Sequence, residues 1–332
     1  MVRAELQTTR ELAEELFGLA HRTQDPALLL EANRALGLTM FWLGEMAQAR
    51  VHLEQGMALY DPQKHRSHAF VYGQDPGVAC QALAAWPIWV LGYPEQALRY
   101  IHKALTLAQE LTHPFSLVYA LALAAVVHQF RREAQEVKER TKALMILSAE
   151  QGFAFWSAYG AILRGWAITM QGEGAEGIAQ MLQGLVAYRA TGAELDRLYF
   201  LTLLAEGYGK AGQPEKGLSA LDEGLAMVEK TGERSWEAEM NRNKGELLLM
   251  QQRKGQKVDE AEECFQKALH IARHQQAKSF ELRVAMSLSR LWQQQGKHEK
   301  AHQLLEEIYG WFTEGFDTPD LKEAKVLLEE LA

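Results

Sequence analysis

Leu91-Gly92-Tyr93-Pro94-Glu95-Gln96-Ala97-Leu98 is the phrase on which the reading of this chain turns, because it recurs. Ala211-Gly212-Gln213-Pro214-Glu215-Lys216-Gly217-Leu218 is nearly the same. Leu43-Gly44-Glu45-Met46-Ala47-Gln48-Ala49-Arg50 and Gln295-Gly296-Lys297-His298-Glu299-Lys300-Ala301-His302 keep its outline, and Gln171-Gly172-Glu173-Gly174-Ala175-Glu176-Gly177-Ile178 is a looser copy. In one degraded copy Arg131 stands in for the glycine; another, at Gly255, is displaced by a short insertion. Six steps carry Gly44 to Gly296, about 42 residues each, which is the period of a stacked helical repeat.

The phrase reads as a helix-turn-helix corner. Glycine ends the first helix, where a left-handed residue is wanted. Proline or an acid opens the second, where a fixed φ fits and negative charge meets the helix dipole. Small residues keep register with it. Gly37, Ala85, Ala124, Gly165, Ala205 and Ser289 lie seven before the corner; Ala49, Ala97, Gly177, Gly217 and Ala301 lie five after; Gly56, Ala104, Ala143, Gly184 and Gly224 lie twelve after. Steps of seven stay on one helical face, and small side chains there let paired helices approach closely. Glu194–Ala211 and Pro214–Thr231 read as amphipathic helices, and no alternating β-branched run appears.

The expected fold is therefore all-α: a tetratricopeptide-like solenoid of about seven helix pairs, wound as a right-handed superhelix. Residues 1–24 read as the second helix of a truncated repeat, with Ala13 and Ala20 seven apart; residues 25–316 read as the array; residues 317–332 read as a capping helix opened by Pro319. A half repeat leaves an apolar face uncovered, so the chain is expected to abut something N-terminal, or to pair with a second copy as a homodimer.

Composition narrows the function. Of 332 residues, 48% are hydrophobic, which supports a large core. The formal charge is −8, the wrong sign for a phosphate-binding surface, so nucleic acid is not expected as a partner. The longest apolar run, Leu117–Val127, is too short to span a bilayer. Cys80 and Cys264 stand far apart with no Cys-x-x-Cys pair, which fits a reducing cytoplasm.

Two strings imitate catalytic motifs. Gly172–Gly177 spells G-x-G-x-x-G, but a helix precedes it where a dinucleotide site needs a strand. His298-Glu299-Lys300-Ala301-His302 spells H-E-x-x-H, yet it sits in repeat register without a third zinc ligand. Neither a P-loop nor a G-x-S-x-G elbow occurs. The chain is expected to be no enzyme and to need no cofactor or metal.

Binding is left to two regions. Counting back from each corner places Arg34, Phe41, Ala82, Trp86, Trp89, His128, Tyr159, Ile162, Trp166, Tyr199, Glu206, Arg242 and Glu246 near the concave face. Its aromatics would anchor a peptide, or else close the core of a tightly wound array. The second region is the insertion Asp61–Gly77, where His65, Arg66, His68, Tyr72 and Asp75 could meet a polar ligand or a partner, or where Asp75-Pro76 simply caps the next helix. A scaffold for a protein or peptide is the leading function. A small-molecule sensor, with its ligand between the loop and the groove, is the alternative.

The phrases Tyr72-Gly73-Gln74-Asp75-Pro76-Gly77-Val78, Leu91–Ala97, Arg189-Ala190-Thr191-Gly192-Ala193-Glu194-Leu195, Gly232-Glu233-Arg234-Ser235-Trp236-Glu237-Ala238-Glu239, Lys244–Leu249 and Tyr309–Phe316 carry a family likeness. The chain resembles the C-terminal tetratricopeptide region of large bacterial fusion proteins with a class III nucleotide cyclase domain, or another signalling domain, ahead of an AAA-like ATPase domain. The resemblance implies a cytoplasmic regulatory or sensory module, linked or adjacent to such domains. It brings no catalytic residues, because the cyclase and ATPase motifs lie in parts this chain lacks.

Overall fold

The computed structural model describes residues 5–251 and 256–332, so the displaced corner at Gly255 lies outside it. Helix α1 (Leu6–Thr23) leads into α2 (Pro26–Leu43) and α3 (Met46–Leu59), followed by two short helices, α4 (Pro62–His65) and α5 (His68–Tyr72). Then come the pairs α6 (Pro76–Val90) with α7 (Pro94–Leu111), α8 (Pro114–Phe130) with α9 (Ala134–Gln151), and α10 (Ala154–Met170) with α11 (Gly174–Ala190). The pairs α12 (Arg197–Lys210) with α13 (Pro214–Thr231), α14 (Glu237–Met250) with α15 (Gln256–His274), and α16 (Lys278–Gln294) with α17 (His298–Tyr309) complete seven, and α18 (Pro319–Leu331) follows. No strand occurs among the described residues.

The corners form as their chemistry dictates. Gly44, Gly92, Gly172, Gly212 and Gly296 all take positive φ, up to 105° at Gly172, a region that glycine enters without Cβ strain. Pro94 and Pro214 then start the second helices. In the α8–α9 corner the left-handed residue is Arg132, at φ 60°, not Arg131. The register there moves on by one: Val137 and Leu144 face the core, whereas Ala143 is exposed and drops out of the row of small residues. The tightest approach joins α10 and α11. A Cβ on Gly177 would strike the Gly165 carbonyl and the Thr169 hydroxyl, so only glycine lets these backbones meet.

Helix α12 begins at Arg197, three residues later than the sequence pattern indicates. Asp196 takes a left-handed backbone (φ 68°), and Ala193 and Leu195 turn inward ahead of it. The Asp61–Gly77 insertion folds into α4 and α5. Asp61 accepts from the Gln63 amide at 2.9 Å, and Asp75 caps α6 by accepting from Val78 N–H at 2.9 Å.

The superhelix closes on itself. Backbone N–H groups of Arg234 and Ser235 donate to the Trp42 carbonyl at 2.8 and 3.3 Å. Ser279 Oγ donates to the Trp89 carbonyl at 2.6 Å, a contact 190 residues apart in sequence, and Arg283 Nη2 donates to the Phe130 carbonyl at 2.6 Å. Each carbonyl lies at the C-terminal end of α2, α6 or α8, where a helix leaves acceptors unsatisfied. Later repeats supply donors to all three, although the Trp89 carbonyl also accepts from Gly92 N–H at 2.9 Å. Further on, Glu314 accepts from the N–H groups of Glu95 and Gln96 at 2.8 and 2.9 Å, capping α7, and Glu95 accepts from Gly315 N–H in return.

Rings fill the junction. Phe41, Phe130, Tyr199 and Phe280 surround Trp236 with centroids 4.6 to 6.1 Å away, the Tyr199 ring stacked on it. Trp89 packs on Phe130 and Phe280 at 4.9 and 5.7 Å, with the Arg283 guanidinium 4.9 Å from its ring.

Candidate functional site: two cavities inside the superhelix

Closure divides the concave face into two separate spaces. The first is a polar cleft of about 230 Å³ where α12, α14 and α16 face the C-terminal end of α8. Its centre is an ion-pair network. Arg242 donates to both oxygens of Glu239 at 2.9 and 3.1 Å, the two-pronged geometry that makes arginine–carboxylate pairs strong. Arg283 reaches Glu239 at 3.4 Å and Asp320 at 2.8 Å, and Ser287 Oγ donates to Glu246 at 2.5 Å. Burial works to raise the Glu239 carboxyl pKa, but Arg242 and Arg283 outweigh it and hold it below the usual carboxylate range. Arg290, Glu246 and Glu323 stand at the rim, each side chain close to two-fifths exposed. The lining carries four arginines and four glutamates: Arg132, Arg242, Arg283 and Arg290 against Glu206, Glu239, Glu246 and Glu323. Such a surface offers both donors and acceptors.

The second space is an apolar pocket of about 390 Å³ bounded by α2, α6, α8 and α10. Trp42, Trp86, Tyr119, Phe155, Trp156 and Tyr159 supply rings, and Asp196 is the only acid on its wall. The Trp86 ring in the pocket and the Phe130 ring in the cleft are 6.2 Å apart, so aromatic side chains form the partition.

Polar groups around this pocket are incompletely paired. Asp196 Oδ1, the Tyr159 hydroxyl, Trp42 Nε1 and both carboxylate oxygens of Glu233 are buried with no hydrogen-bond partner. The Asp196 backbone N–H favours the ionised form of the Glu233 carboxyl and opposes part of the effect of burial. Burial pushes both the Asp196 and the Glu233 carboxyl well above the ordinary range, and the charge of Asp196 adds to the shift of Glu233. Tyr119, Tyr159, Tyr188 and Tyr199 face Asp196, and burial raises each of them as well.

The residues singled out from the sequence distribute as follows. Trp86 and Tyr159 line the pocket; Glu206 and Arg242 line the cleft. Trp166 is sealed in the core behind the cleft, its Nε1 donating to Glu206 at 2.8 Å. Trp89 lies under Arg283, and His128 sits apart, its Nδ1 2.6 Å from Glu133. In the insertion, Asp75 is fully buried as a helix cap and accepts from the Tyr60 hydroxyl at 2.9 Å. His65 is buried and receives the Asp61 N–H at 2.9 Å; Arg66 and Tyr72 are exposed. No residue of the insertion lines either cavity. His298 is exposed at the start of α17, and His302 faces Glu306 at 3.6 Å. Among the described residues no group of three or more His, Cys, Asp or Glu is placed to hold a metal ion, and no helix is long and apolar enough to cross a membrane.

Sequence reasoning did not single out Glu239, Arg283, Asp196 or Glu233. For the first two a signal existed: a charge at a core-facing position of a helix, which burial tolerates only with a partner. Asp196 and Glu233 lie in turns, where an acid draws no notice.

No family model matches the chain. An uncharacterised protein of Rhizobium meliloti (strain 1021) is 22% identical over 288 residues, covering 86% of this chain and 28% of that protein. This chain thus spans little more than a quarter of that relative. Among solved structures, the Rap conjugation gene regulator of plasmid pLS20, in complex with the Phr* peptide, superposes with a TM-score of 0.58 at 11% identity, over 91% of this chain and 75% of that one. The fold is a tetratricopeptide-like solenoid. A Rap protein complexed with competence and sporulation factor superposes on this solenoid with a TM-score of 0.54 at 10% identity, over 98% of this chain and 96% of that one.

Proposed function

We propose that this solenoid is a non-catalytic scaffold that holds a peptide, or an extended segment of a partner protein, in the polar cleft. The observation that carries the reading is the cleft itself. It pairs buried, ion-paired charges at its floor with partly exposed Arg290, Glu246 and Glu323 at its rim. A peptide backbone presents donors and acceptors alternately, and a lining of balanced charge matches both. The Rap regulator seen with a peptide has the same kind of fold, which supports a peptide as the class of ligand.

In this reading the chain is a cytoplasmic regulatory module of a bacterial signalling protein, linked or adjacent to a nucleotide cyclase domain and an AAA-like ATPase domain. The outer side of α1, where Leu12 is 61% and Leu19 43% exposed, is the face proposed to meet the neighbouring domain. Partner occupancy of the cleft would bias how the repeats wind, and that difference would be passed to the neighbour.

A display selection of random peptides on the purified chain tests the proposal. Enriched peptides are expected to bind wild type and to lose affinity on Glu246→Lys or Arg290→Glu, both partly exposed and so tolerated by the fold. Peptides that bind both variants unchanged would place the site elsewhere.

A further inference from the structure

We propose that the apolar pocket is a separate binding site for a small lipophilic amine, whose hydrocarbon body lies among the rings and whose protonated nitrogen meets Asp196. The pocket shares no lining residue with the polar cleft, so this site does not depend on the peptide reading.

Four observations point the same way. The pocket is large enough for a molecule and is walled by aromatic rings, whose faces attract cations as well as hydrocarbon. Trp42, Trp86, Trp156 and Tyr159 stand on different sides of it, on α2, α6 and α10. One acid borders it, Asp196, which is 94% buried by its 6% exposure and leaves Oδ1 without a partner. A second, Glu233, is fully buried behind it with both oxygens unpaired.

The fourth observation is a missing cation. Other buried acids have partners: Glu239 has Arg242 and Arg283, Glu281 has Lys278 and Arg273, Glu31 has Arg34, and Asp75, with no cation, has the Tyr60 hydroxyl and the Val78 N–H. Among the described residues, no arginine or lysine forms an ion pair with Asp196 or Glu233 or contributes to the shift of either. Unpaired buried carboxyls cost stability, and the fold retains two of them beside an aromatic cavity. A ligand that carries its own positive charge supplies the absent partner. A carboxylate or phosphate ligand would add negative charge to a site that already has two acids. A purely apolar ligand would leave Asp196 as it is.

The backbone at Asp196 strengthens the assignment. Its left-handed φ of 68° is one that asparagine and aspartate tolerate better than other side chains. The local conformation holds the carboxyl at the pocket wall, and Asp196→Asn keeps shape and backbone preference while removing the acid that can ionise against the amine.

Phenylbutylamine is the probe, with phenylbutanol as its neutral counterpart and phenylpentanoate as its anionic one. Binding is read from tryptophan emission, since Trp42, Trp86 and Trp156 line the pocket, and is confirmed by calorimetry. The amine is expected to bind saturably, more tightly than the alcohol by about tenfold or more, the margin of a hydrogen bond to a charged group. Asp196→Asn should remove that margin and leave alcohol binding unchanged. Ala154→Trp, which places an indole at an exposed position on the pocket's edge, should weaken both ligands while the peptide cleft is untouched. It keeps the test decisive if Asp196→Asn folds poorly. Equal or tighter binding of the alcohol or the anion, amine binding that survives Asp196→Asn, or binding indifferent to Ala154→Trp would each overturn the proposal.

Discussion

Trp236→Ala is the perturbation that most sharply probes the closed superhelix. Trp236 precedes α14 and is 3% exposed. It touches Phe41 and Phe130 from the early repeats and Tyr199 and Phe280 from the later ones. Truncating a core tryptophan costs about 3–5 kcal/mol through lost burial and the cavity left behind. The ring contacts add specificity, since each good aromatic pair contributes about 0.5–1.5 kcal/mol beyond its area. The cost should fall at the upper end of that range, because rigid neighbours from both halves cannot collapse together into the void. Solenoid stability is otherwise a sum of nearest-neighbour terms, so an open array can unfold in stages. Closure couples distant repeats and should make wild type unfold in one transition. The variant is expected to lower the urea midpoint, to split or broaden the transition, and to raise the radius of gyration in small-angle scattering as the halves part. A loss under about 1 kcal/mol with a single transition and unchanged scattering would refute the closure argument.

Other outcomes follow from the same contacts. Ala205→Trp should unfold or split the array, because Ala205 is fully buried and overpacking a core costs about 1–3 kcal/mol or more; unchanged helicity and melting temperature would show the repeat register to be wrong. Glu314→Gln should cost about 0.5–2 kcal/mol by weakening the α7 cap on Glu95 and Gln96, and the loss should shrink in high salt, as denaturation at two ionic strengths will reveal. Asp196→Asn should stabilise the protein at pH 7 and lose that advantage on acidification. The folded carboxyl pKa is raised by burial, so its contribution to stability is fully present below the unfolded pKa and is lost as pH rises through the folded one. Each pH unit over which the fold must hold that proton costs about 1.4 kcal/mol, and melting curves of both proteins from pH 4 to 8 should diverge upward in pH. The groups facing Asp196, namely Glu233 and Tyr119, Tyr159, Tyr188 and Tyr199, include no base to reverse the sign.

The helix pairs were legible because their grammar is local. A glycine at positive φ, a proline at the first helical turn and a small residue at each close approach all act within one repeat. The one slip in register, Arg131 for Arg132, came where two arginines stand together and either satisfies the pattern. Closure was not legible. Ser279 and the Trp89 carbonyl it meets are 190 residues apart, and no periodicity links them. The site followed the same divide. Counting from the corners brought Trp86, Tyr159, Glu206 and Arg242 to the concave side, where they border the two cavities. It could not tell an open groove from one filled by later repeats, so Trp89 and Trp166 gave no hint that they are sealed in. Asp196 and Glu233 matter only because of what fails to pair with them, a property of the assembled interior.

Photo-crosslinking of a display-selected peptide, mapped by mass spectrometry on the intact chain, tests the scaffold reading most directly. Crosslinks are expected on α12, α14 and α16 around Glu206, Arg242, Glu246 and Arg290, lost on Arg290→Glu. Crosslinks confined to α3, α7, α9 or another second helix of a pair, and unaffected by that change, would contradict it.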